Sequence, residues 1–212
     1  MLSLTCFVSK DVCNMNEFIK PLTEEFADAA AELHRSNIRT GFLSSLGISF
    51  LRQLYKAIAV CPSGFGFVWQ GENGEIWGFI ACAENTGRLY KQVFLHRGLL
   101  VVIPLLRFIF RLSVLKRIWE TLRYPAETAE DLPQAEVLSI AVSSQARGKG
   151  IGKVLMKTAM DEFARRGIKQ VKVAVWAGNE AANKFYQHCG FSLASTREHH
   201  GLPMNIYVRN SQ

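Results

Sequence analysis

One run of glycine and basic residues has the composition of a phosphate-binding loop: Arg147-Gly148-Lys149-Gly150-Ile151-Gly152. It follows an apolar stretch with strand character and opens a run with helical periodicity. A helix N-terminus presents four unpaired N–H groups and a partial positive charge, and glycines leave room for a diphosphate to reach those groups. Arg147 and Lys149 add two full positive charges. The run therefore predicts a diphosphate site, with a glycine-rich turn carrying solvated charges as the alternative.

Two common phosphate-binding patterns do not match this run. The P-loop pattern needs a glycine at position 147 and a serine or threonine at position 154, where the sequence has Arg147 and Val154. The dinucleotide-binding pattern has a different glycine spacing and follows an early strand of the chain. Neither pattern therefore identifies the ligand.

The segments around the run predict an alternation of strands and helices. A helix is predicted over 151–166, with Gly167 at its C-terminal cap, and Asn179 is predicted to cap a second helix that ends at Gly190. Four strands are predicted from apolar or alternating stretches: 137–142, 171–175, 191–195 and 206–209.

The N-terminal half adds two helices and a hairpin to this pattern. A short strand over 18–22 precedes Thr23, which is predicted to cap a helix, and a second helix is predicted over 45–59. Strands over 64–70 and 75–82 flank Asn73-Gly74, which is a strong hairpin turn signal. Together these elements predict a mixed α/β sheet with helices on both faces.

Two motifs in order give the chain a family resemblance. Arg147, Gly150 and Gly152 fit the pattern Arg/Gln-x-x-Gly-x-Gly/Ala, and the chain thereby resembles the GNAT superfamily of acetyl-CoA-dependent N-acetyltransferases. The second half of that family's signature matches the following stretch: Asn179-Glu180-Ala181-Ala182-Asn183-Lys184-Phe185-Tyr186, then Cys189-Gly190-Phe191. The resemblance covers roughly 17–85 and 134–209, by comparison of such motifs.

The resemblance implies a fold and a single domain. The implied fold is of the α/β (α+β) class, with a mixed, mostly antiparallel sheet of about six to seven strands whose central strands splay apart, and helices on both faces. One GNAT domain would span 1–212, with an inserted apolar helical segment at about 88–131. Family members join the flanking strands more directly, so that insertion lies outside the resemblance.

The resemblance also implies which residues bind acetyl-CoA as cosubstrate. The pantetheine arm would pair with the strand at Ile140, Ala141 and Val142, and the Val142 amide would polarise the thioester carbonyl. The remaining implied cofactor contacts come from the loop and the following helix: Arg147, Gly148, Lys149, Gly150, Ile151, Gly152, Asn179 and Asn183. Tyr186 is implied as the acid that protonates the departing thiolate, with a packed aromatic as the alternative. No metal is expected.

The general base is less defined by the sequence. Some peptide N-terminal acetyltransferases of the family carry a glutamate where this chain has Ala174. This departure weakens the prediction of a ribosomal-protein substrate. Glu136 is the candidate base, acting through a water molecule, with a solvated strand-end carboxylate as the alternative. His34, His199 and His200 are further options. The acceptor is expected to be a small-molecule or peptide amine.

The apolar segment 88–131 allows three interpretations. Its run from Leu99 to Phe110 is interrupted by Pro104, Arg107 and Arg111, too soon for the ~20 residues of a membrane span. A lid over the acceptor cleft, a second subunit in a homodimer, and docking of 97–118 on a membrane surface remain open. A lid would place Arg107 and Arg111 near an acceptor carboxylate or phosphate.

Charge and cysteine content bound the setting. The net charge of +7 arises within residues 144–212, but its basic residues do not form a run with interleaved aromatics, so nucleic acid is not an expected partner. Five cysteines without C-x-x-C spacing favour reduced thiols in a cytoplasm, with peripheral attachment to a membrane as an addition to it. A binding module that holds acyl-CoA without turnover is the alternative to an enzyme.

Overall fold

The computed structural model describes residues 16–38, 42–93, 95, 132–199 and 201–211. Within them a seven-stranded sheet has the strand order β1-β2-β3-β4-β5-β7-β6. The strands are β1 Ile19–Pro21, β2 Gly64–Gln70, β3 Ile76–Ala83, β4 Glu136–Val142, β5 Gln170–Trp176, β6 Ser192–His199 and β7 Leu202–Asn210. The helices are α1 Ala27–Asn37, α2 Phe42–Ser45, α3 Ile48–Val60, α4 Ile151–Arg165 and α5 Glu180–His188, and residues 86–93 are also helical.

Helices cover both faces of the sheet, because alternate strand residues are apolar on each side. On the first face, α4 and α5 pack on a core that includes Val137, Val171 and Val173. On the second face, α1 and α3 pack on a core that includes Phe79 and Ala141. Both faces are therefore buried, as the sequence predicted.

The two central strands separate along their length. β4 and β5 are parallel, and in the described part of the chain they pair at one position, Glu136 opposite Lys172. By contrast, β3 pairs with β4, and β7 with β5, along nearly the whole strand. A gap therefore opens between β4 and β5 beyond Glu136, on the side of the loop at 147–152. The predicted splay is confirmed.

Two β-bulges alter where side chains point near this gap. The register between β3 and β4 moves from Ala81↔Ser139 to Cys82↔Val137, which leaves Leu138 as the extra residue. The register between β2 and β3 moves from Trp69↔Gly78 to Gln70↔Ile76, which leaves Trp77 unpaired in the same way. An extra residue rotates the strand locally and redirects side chains. Neither bulge was predicted from the sequence.

Several element boundaries differ from the prediction. Thr23 does not cap α1, which begins at Ala27, because residues 24–26 form a turn in which the Phe26 amide bonds to the Thr23 carbonyl. The predicted helix over 45–59 is divided at Gly47, whose φ of +86° ends the helical geometry. β6 and β7 extend beyond the predicted 191–195 and 206–209, because backbone pairing carries polar residues that periodicity does not reveal.

The segment predicted to be an insertion lies almost wholly outside the described residues. No helix among the residues that are described is long and apolar enough to cross a membrane.

Candidate active site

The loop between β4 and α4 depends on two glycines for its backbone path. Gly148 has φ of +78° and Gly150 has φ of +80°, which is the left-handed region that L side chains rarely adopt. A Cβ atom at either position would meet nothing within 4 Å, so the requirement is conformational and the space beside the loop is open. Gly150 is also the N-cap of α4. The predicted loop therefore sits directly at a helix N-terminus.

The loop amides are available to a ligand. Among the backbone hydrogen bonds of the described residues, no donor falls between Arg147 and Gly152, whereas Lys153 and Val154 both donate to the Gly150 carbonyl. Consecutive unpaired amides at the positive end of a helix form an anion-binding concavity. This arrangement has the chemistry that a diphosphate requires.

Gly152 serves a different purpose from the other loop glycines. A Cβ atom there would lie 3.3 Å from the ring of Phe185 and 3.7 Å from Val142. The missing side chain lets the first turn of α4 approach α5 and the end of β4. The family pattern at this position is therefore explained by packing rather than by backbone conformation.

Both cations of the loop are exposed and have a neighbour. Arg147 Nη2 donates to Asn37 Oδ1 at 2.7 Å, which connects the loop to the end of α1. The Lys149 ammonium lies 4.9 Å from the centre of the Trp77 ring, at cation–π distance. The bulge at Trp77 brings its ring to the loop, and sequence reasoning did not find this residue because strand periodicity cannot reveal a bulge.

Two amides of β4 face the gap. The Ser143 amide donates to the Trp77 carbonyl at 2.7 Å, toward β3. Because amide directions alternate along an antiparallel strand, the amides of Val142 and Ile140 point away from β3 and into the gap. An extended chain with amide groups can pair with such a strand edge. The Ala141 side chain instead joins the core of the second face.

Tyr186 lies in the apolar core of the first face, at the end of α5. Its ring is 5.4 Å from Phe185, 6.0 Å from Phe191 and 6.4 Å from Tyr207, measured between centroids. Burial raises the pKa of Tyr186, and the neighbouring thiols of Cys189 and Cys82 add to the effect. Its hydroxyl has no hydrogen-bond partner among the described residues. The phenol is therefore protonated at neutral pH and free to donate.

The two asparagines of the second motif have structural contacts. Asn179 caps α5, as predicted, and its side chain accepts from the Ala182 amide at 3.1 Å. The Asn183 amide nitrogen donates to backbone carbonyls of residues 176, 177 and 179, and its oxygen accepts from Tyr207 and Asn205. These contacts occupy every polar atom of the Asn183 side chain. The geometry therefore favours a structural role for Asn183 over the predicted contact with a cofactor.

Glu136 and Lys172 form a buried pair where β4 and β5 meet. Alternation from Val137 and Val171 places both side chains on the second face. Burial raises the pKa of Glu136 to about 7, while the Lys172 ammonium limits the rise. The 3.8 Å between Lys172 Nζ and Glu136 Oε2 is too long for a hydrogen bond, and Oε2 has no hydrogen-bond partner in the described part of the chain. Glu136 is thus a carboxyl group that can exchange a proton near neutral pH.

The histidines considered as bases are placed differently. His34 is buried on α1, and both its ring nitrogens are engaged, by Tyr55 and by Ser44. Burial lowers the pKa of His34 to about 4. His199 is the last residue of β6 and is half-buried, while His200 lies outside the described residues.

Comparison with known proteins agrees with this geometry. The Acetyltransferase (GNAT) family matches residues 36–191, so the chain belongs to that family. The chain is 32% identical to [Ribosomal protein bS18]-alanine N-acetyltransferase of Escherichia coli strain K12 over 69 residues, which are 32% of this chain and 47% of that protein. It is 30% identical to Mycothiol acetyltransferase of Beutenbergia cavernae over 73 residues, which are 34% of this chain and 25% of that protein. The matches thus span less than half the length of these curated relatives.

Solved structures show the same fold over more of the chain. An N-acetyltransferase from Staphylococcus aureus Mu50 superposes with a TM-score of 0.58 at 20% identity, over 92% of this chain and 98% of that one. The ribosomal-protein-S18-alanine N-acetyltransferase from Escherichia coli gives a TM-score of 0.55 at 18% identity, over 91% and 92%. At these identities the likeness concerns the fold.

Proposed function

We propose that this protein is an enzyme that binds acetyl-CoA and transfers its acyl group to an amine. The observation that carries the proposal is the continuity of two open backbone surfaces: the unpaired amides at 147–152 and the gap beside β4. The first suits the diphosphate of acetyl-CoA and the second suits its pantetheine arm. Arg147 and Lys149 would add charge beside the diphosphate.

The pantetheine arm would lie along residues Ile140, Ala141 and Val142. Of the two amides that face the gap, that of Val142 is the donor predicted from the sequence. The amide of Ile140 is a second donor, and it lies closer to Glu136, where β4 and β5 meet. Either would stabilise negative charge on the thioester carbonyl oxygen as the amine attacks. The pantetheine arm carries two amide groups of its own. One of the two gap-facing amides of β4 can therefore pair with the arm, while the other donates to the thioester carbonyl.

Proton transfers would be handled by two groups on opposite faces. Glu136, with its pKa near 7, would accept a proton from the attacking amine through a water molecule. When the carbon–sulfur bond breaks, Tyr186 would donate its proton to the departing CoA thiolate. The raised pKa of Tyr186 keeps that proton in place until the thiolate forms.

The acceptor class is inferred from chemistry and from the relatives. The relatives named above are acetyltransferases of mycothiol and of a ribosomal-protein alanine, and a spermidine N-acetyltransferase chimera has the same fold at 14% identity and a TM-score of 0.58. We propose a small-molecule or peptide amine as the acceptor. Ala174, which stands where some peptide-acetylating enzymes have a glutamate, favours the small molecule.

Acetyl-CoA binding and thiol release test this function directly. Acetyl-CoA at a concentration well above its dissociation constant should raise the melting temperature, because it binds only the folded state. A panel of spermidine, an alanine-terminated peptide and glucosamine, each assayed for free thiol, would then define the acceptor class. Stabilisation without amine-dependent thiol release across a wide panel would favour a non-catalytic acyl-CoA-binding module.

The segment 88–131 completes the proposal. We propose that it forms a lid whose Arg107 and Arg111 contact an acceptor carboxylate or phosphate. Replacing both arginines by alanine should weaken acceptor use and leave acetyl-CoA affinity unchanged.

Flotation with liposomes would test a peripheral membrane location through 97–118, and sedimentation would test a homodimer. The proposed setting is the cytoplasm.

A further inference from the structure

A continuous chain of buried side-chain hydrogen bonds runs from β4 to the end of α1. Ser139 Oγ lies 2.8 Å from the Tyr55 hydroxyl, which lies 2.5 Å from His34 Nδ1. His34 Nε2 lies 3.0 Å from Ser44 Oγ, and Ser44 donates to the Ile38 carbonyl. Tyr55 is fully buried on α3, and Ser139 is 9% exposed. The chain crosses the second face of the sheet.

The partners at the far end determine the direction of every hydrogen bond in the chain. Ser44 has one hydroxyl hydrogen and donates it to the Ile38 carbonyl, so it must accept from His34 Nε2. His34 is neutral at pH 7 because burial lowers its pKa, so its Nδ1 carries no hydrogen and accepts.

The direction then extends back to β4. Since Nδ1 accepts, the Tyr55 hydroxyl must donate to it, and the Tyr55 oxygen must accept from Ser139. The hydroxyl hydrogen of Ser139 is therefore committed. Only lone pairs remain on Ser139 Oγ. This side chain can therefore accept a hydrogen bond from a further group but cannot donate one.

The position of Ser139 relates this acceptor to the gap. Ser139 follows the bulge at Leu138, and its neighbour within the sheet is Ala81 of β3. Its other flank faces the gap, because pairing with β5 ends at Glu136. A carbonyl bound at the Ile140 amide would lie one residue from Ser139, whereas one bound at Val142 would lie three residues away, about 10 Å along the strand. Ile140 is therefore the donor consistent with a role for Ser139.

We infer that Ser139 positions the acceptor amine, accepting one of its N–H groups while leaving its lone pair free to attack the thioester at Ile140. The inference rests on the proposed acyl transfer. A neutral amine can both donate and accept, and a serine with a free hydroxyl hydrogen would donate it to the lone pair and block the attack. The chain through Tyr55 and His34 removes that hydrogen. Ser139 is thus the contact with the amine, and Tyr55 acts through Ser139.

Two single variants should show different kinetic signatures with the best amine of the panel above. Ser139→Ala removes the acceptor oxygen and should raise the KM for the amine about 10-fold, the effect of one hydrogen bond. Tyr55→Phe keeps the ring but frees the Ser139 hydrogen. It should lower kcat about 10-fold with the amine KM unchanged or lower, because the amine is bound in an unproductive orientation.

The double variant separates this role from a loss of packing. In Ser139→Ala/Tyr55→Phe no serine hydrogen is present to block the amine, so kcat should recover toward that of Ser139→Ala. A structural defect would instead make the double variant worse than either single one. Ile58→Val on the same helix is the control, since it loosens the same core without touching the chain. It should lower the melting temperature and leave the amine kinetics unchanged.

The outcomes distinguish failure of this inference from failure of the proposed function. If acetyl-CoA does not stabilise the wild-type protein, the acyl transfer and this inference fall together. If acetyl-CoA stabilises wild type and Tyr55→Phe alike and the kcat of Tyr55→Phe equals that of wild type, this inference alone is overturned. A kcat in the double variant below that of Tyr55→Phe would overturn it too. If Tyr55→Phe does not fold, Ser139→Ala decides instead, and an unchanged KM for the amine in that variant would overturn this inference.

Discussion

The two faces of the sheet differ in the kind of atoms they offer to chemistry. On the first face, α4 and α5 pack on an apolar core, and the groups at hand for a ligand are mostly backbone amides of the loop and of β4. The second face buries side chains that titrate or hydrogen-bond: His34, Tyr55, Glu136, Ser139 and Lys172. Backbone groups suit a ligand that every family member shares, whereas buried side chains can differ between members and suit the acceptor.

The largest effect is expected from a substitution that occupies the backbone site. Gly150→Glu introduces a side chain at φ of +80° and a negative charge where the diphosphate would bind. The rise in melting temperature with acetyl-CoA should disappear. Gly167→Glu is a matched control, because that glycine also has a positive φ of +75° but caps the other end of α4. If acetyl-CoA stabilised wild type and Gly150→Glu equally, the diphosphate would not bind at this loop.

Tyr186→Phe tests the one first-face side chain assigned to chemistry. It keeps the packed ring and removes the proton donor, and losing a general acid costs roughly 10²–10⁴-fold in rate. We expect turnover to fall by that factor while acetyl-CoA stabilises the variant as it does wild type. Thiol-release kinetics measure the first and thermal unfolding the second. Wild-type turnover would make Tyr186 a packing residue and water the proton source.

Glu136→Gln tests the second face through pH. A base acts when deprotonated, so with a pKa near 7 the wild-type rate should fall as pH drops through about 7. In the variant this acid limb of the pH–rate profile should disappear. The rate at the optimum should fall about 10²-fold, the lower bound for a general base. Lys172→Met removes the charge that limits the pKa of Glu136, so it should move the limb to higher pH. A limb that persists in Glu136→Gln would assign it to another group.

Asn183→Ala asks whether an asparagine of the family signature serves structure or cofactor. Removing its amide leaves the Tyr207 hydroxyl and several backbone carbonyls without their partner. The free energy of unfolding should fall by about 1–3 kcal/mol, the cost of unsatisfied buried groups. Chemical denaturation measures this loss, and calorimetry should find acetyl-CoA affinity unchanged at a temperature where the variant is folded. Weaker binding by the folded variant would restore Asn183 to the cofactor site.

The smallest effect concerns the contact between Trp77 and Lys149. An exposed cation–π interaction is worth about 0.5–1 kcal/mol, which corresponds to a factor of about 2–5 in affinity. Trp77→Leu should weaken acetyl-CoA binding by this factor in calorimetry, because the Lys149 ammonium loses the ring that holds it in place. In a Lys149→Ala background the same substitution should have no effect. An equal loss in both backgrounds would mean that Trp77 contacts the ligand itself.

Much of the first face could be predicted because its signals are local in sequence. The loop before α4 needs glycine at positions 148 and 150 for its positive φ angles, and Asn179 caps α5, so each of these residues lies within a few positions of the helix that it precedes. The family motifs lie in the same segments, and the splayed strands follow from them. The separation of β4 and β5 itself was visible only through that resemblance.

The chain of hydrogen bonds on the second face was decided by tertiary structure. Ser139 was a lone polar residue in an apolar strand, and nothing near it in sequence could show that its partner is Tyr55, 84 residues away. The bulges at Leu138 and Trp77 are likewise products of strand register, which depends on pairing between distant segments. Backbone chemistry was therefore determined by the sequence locally, while the arrangement of buried side chains required the packed sheet, because their partners come from different elements.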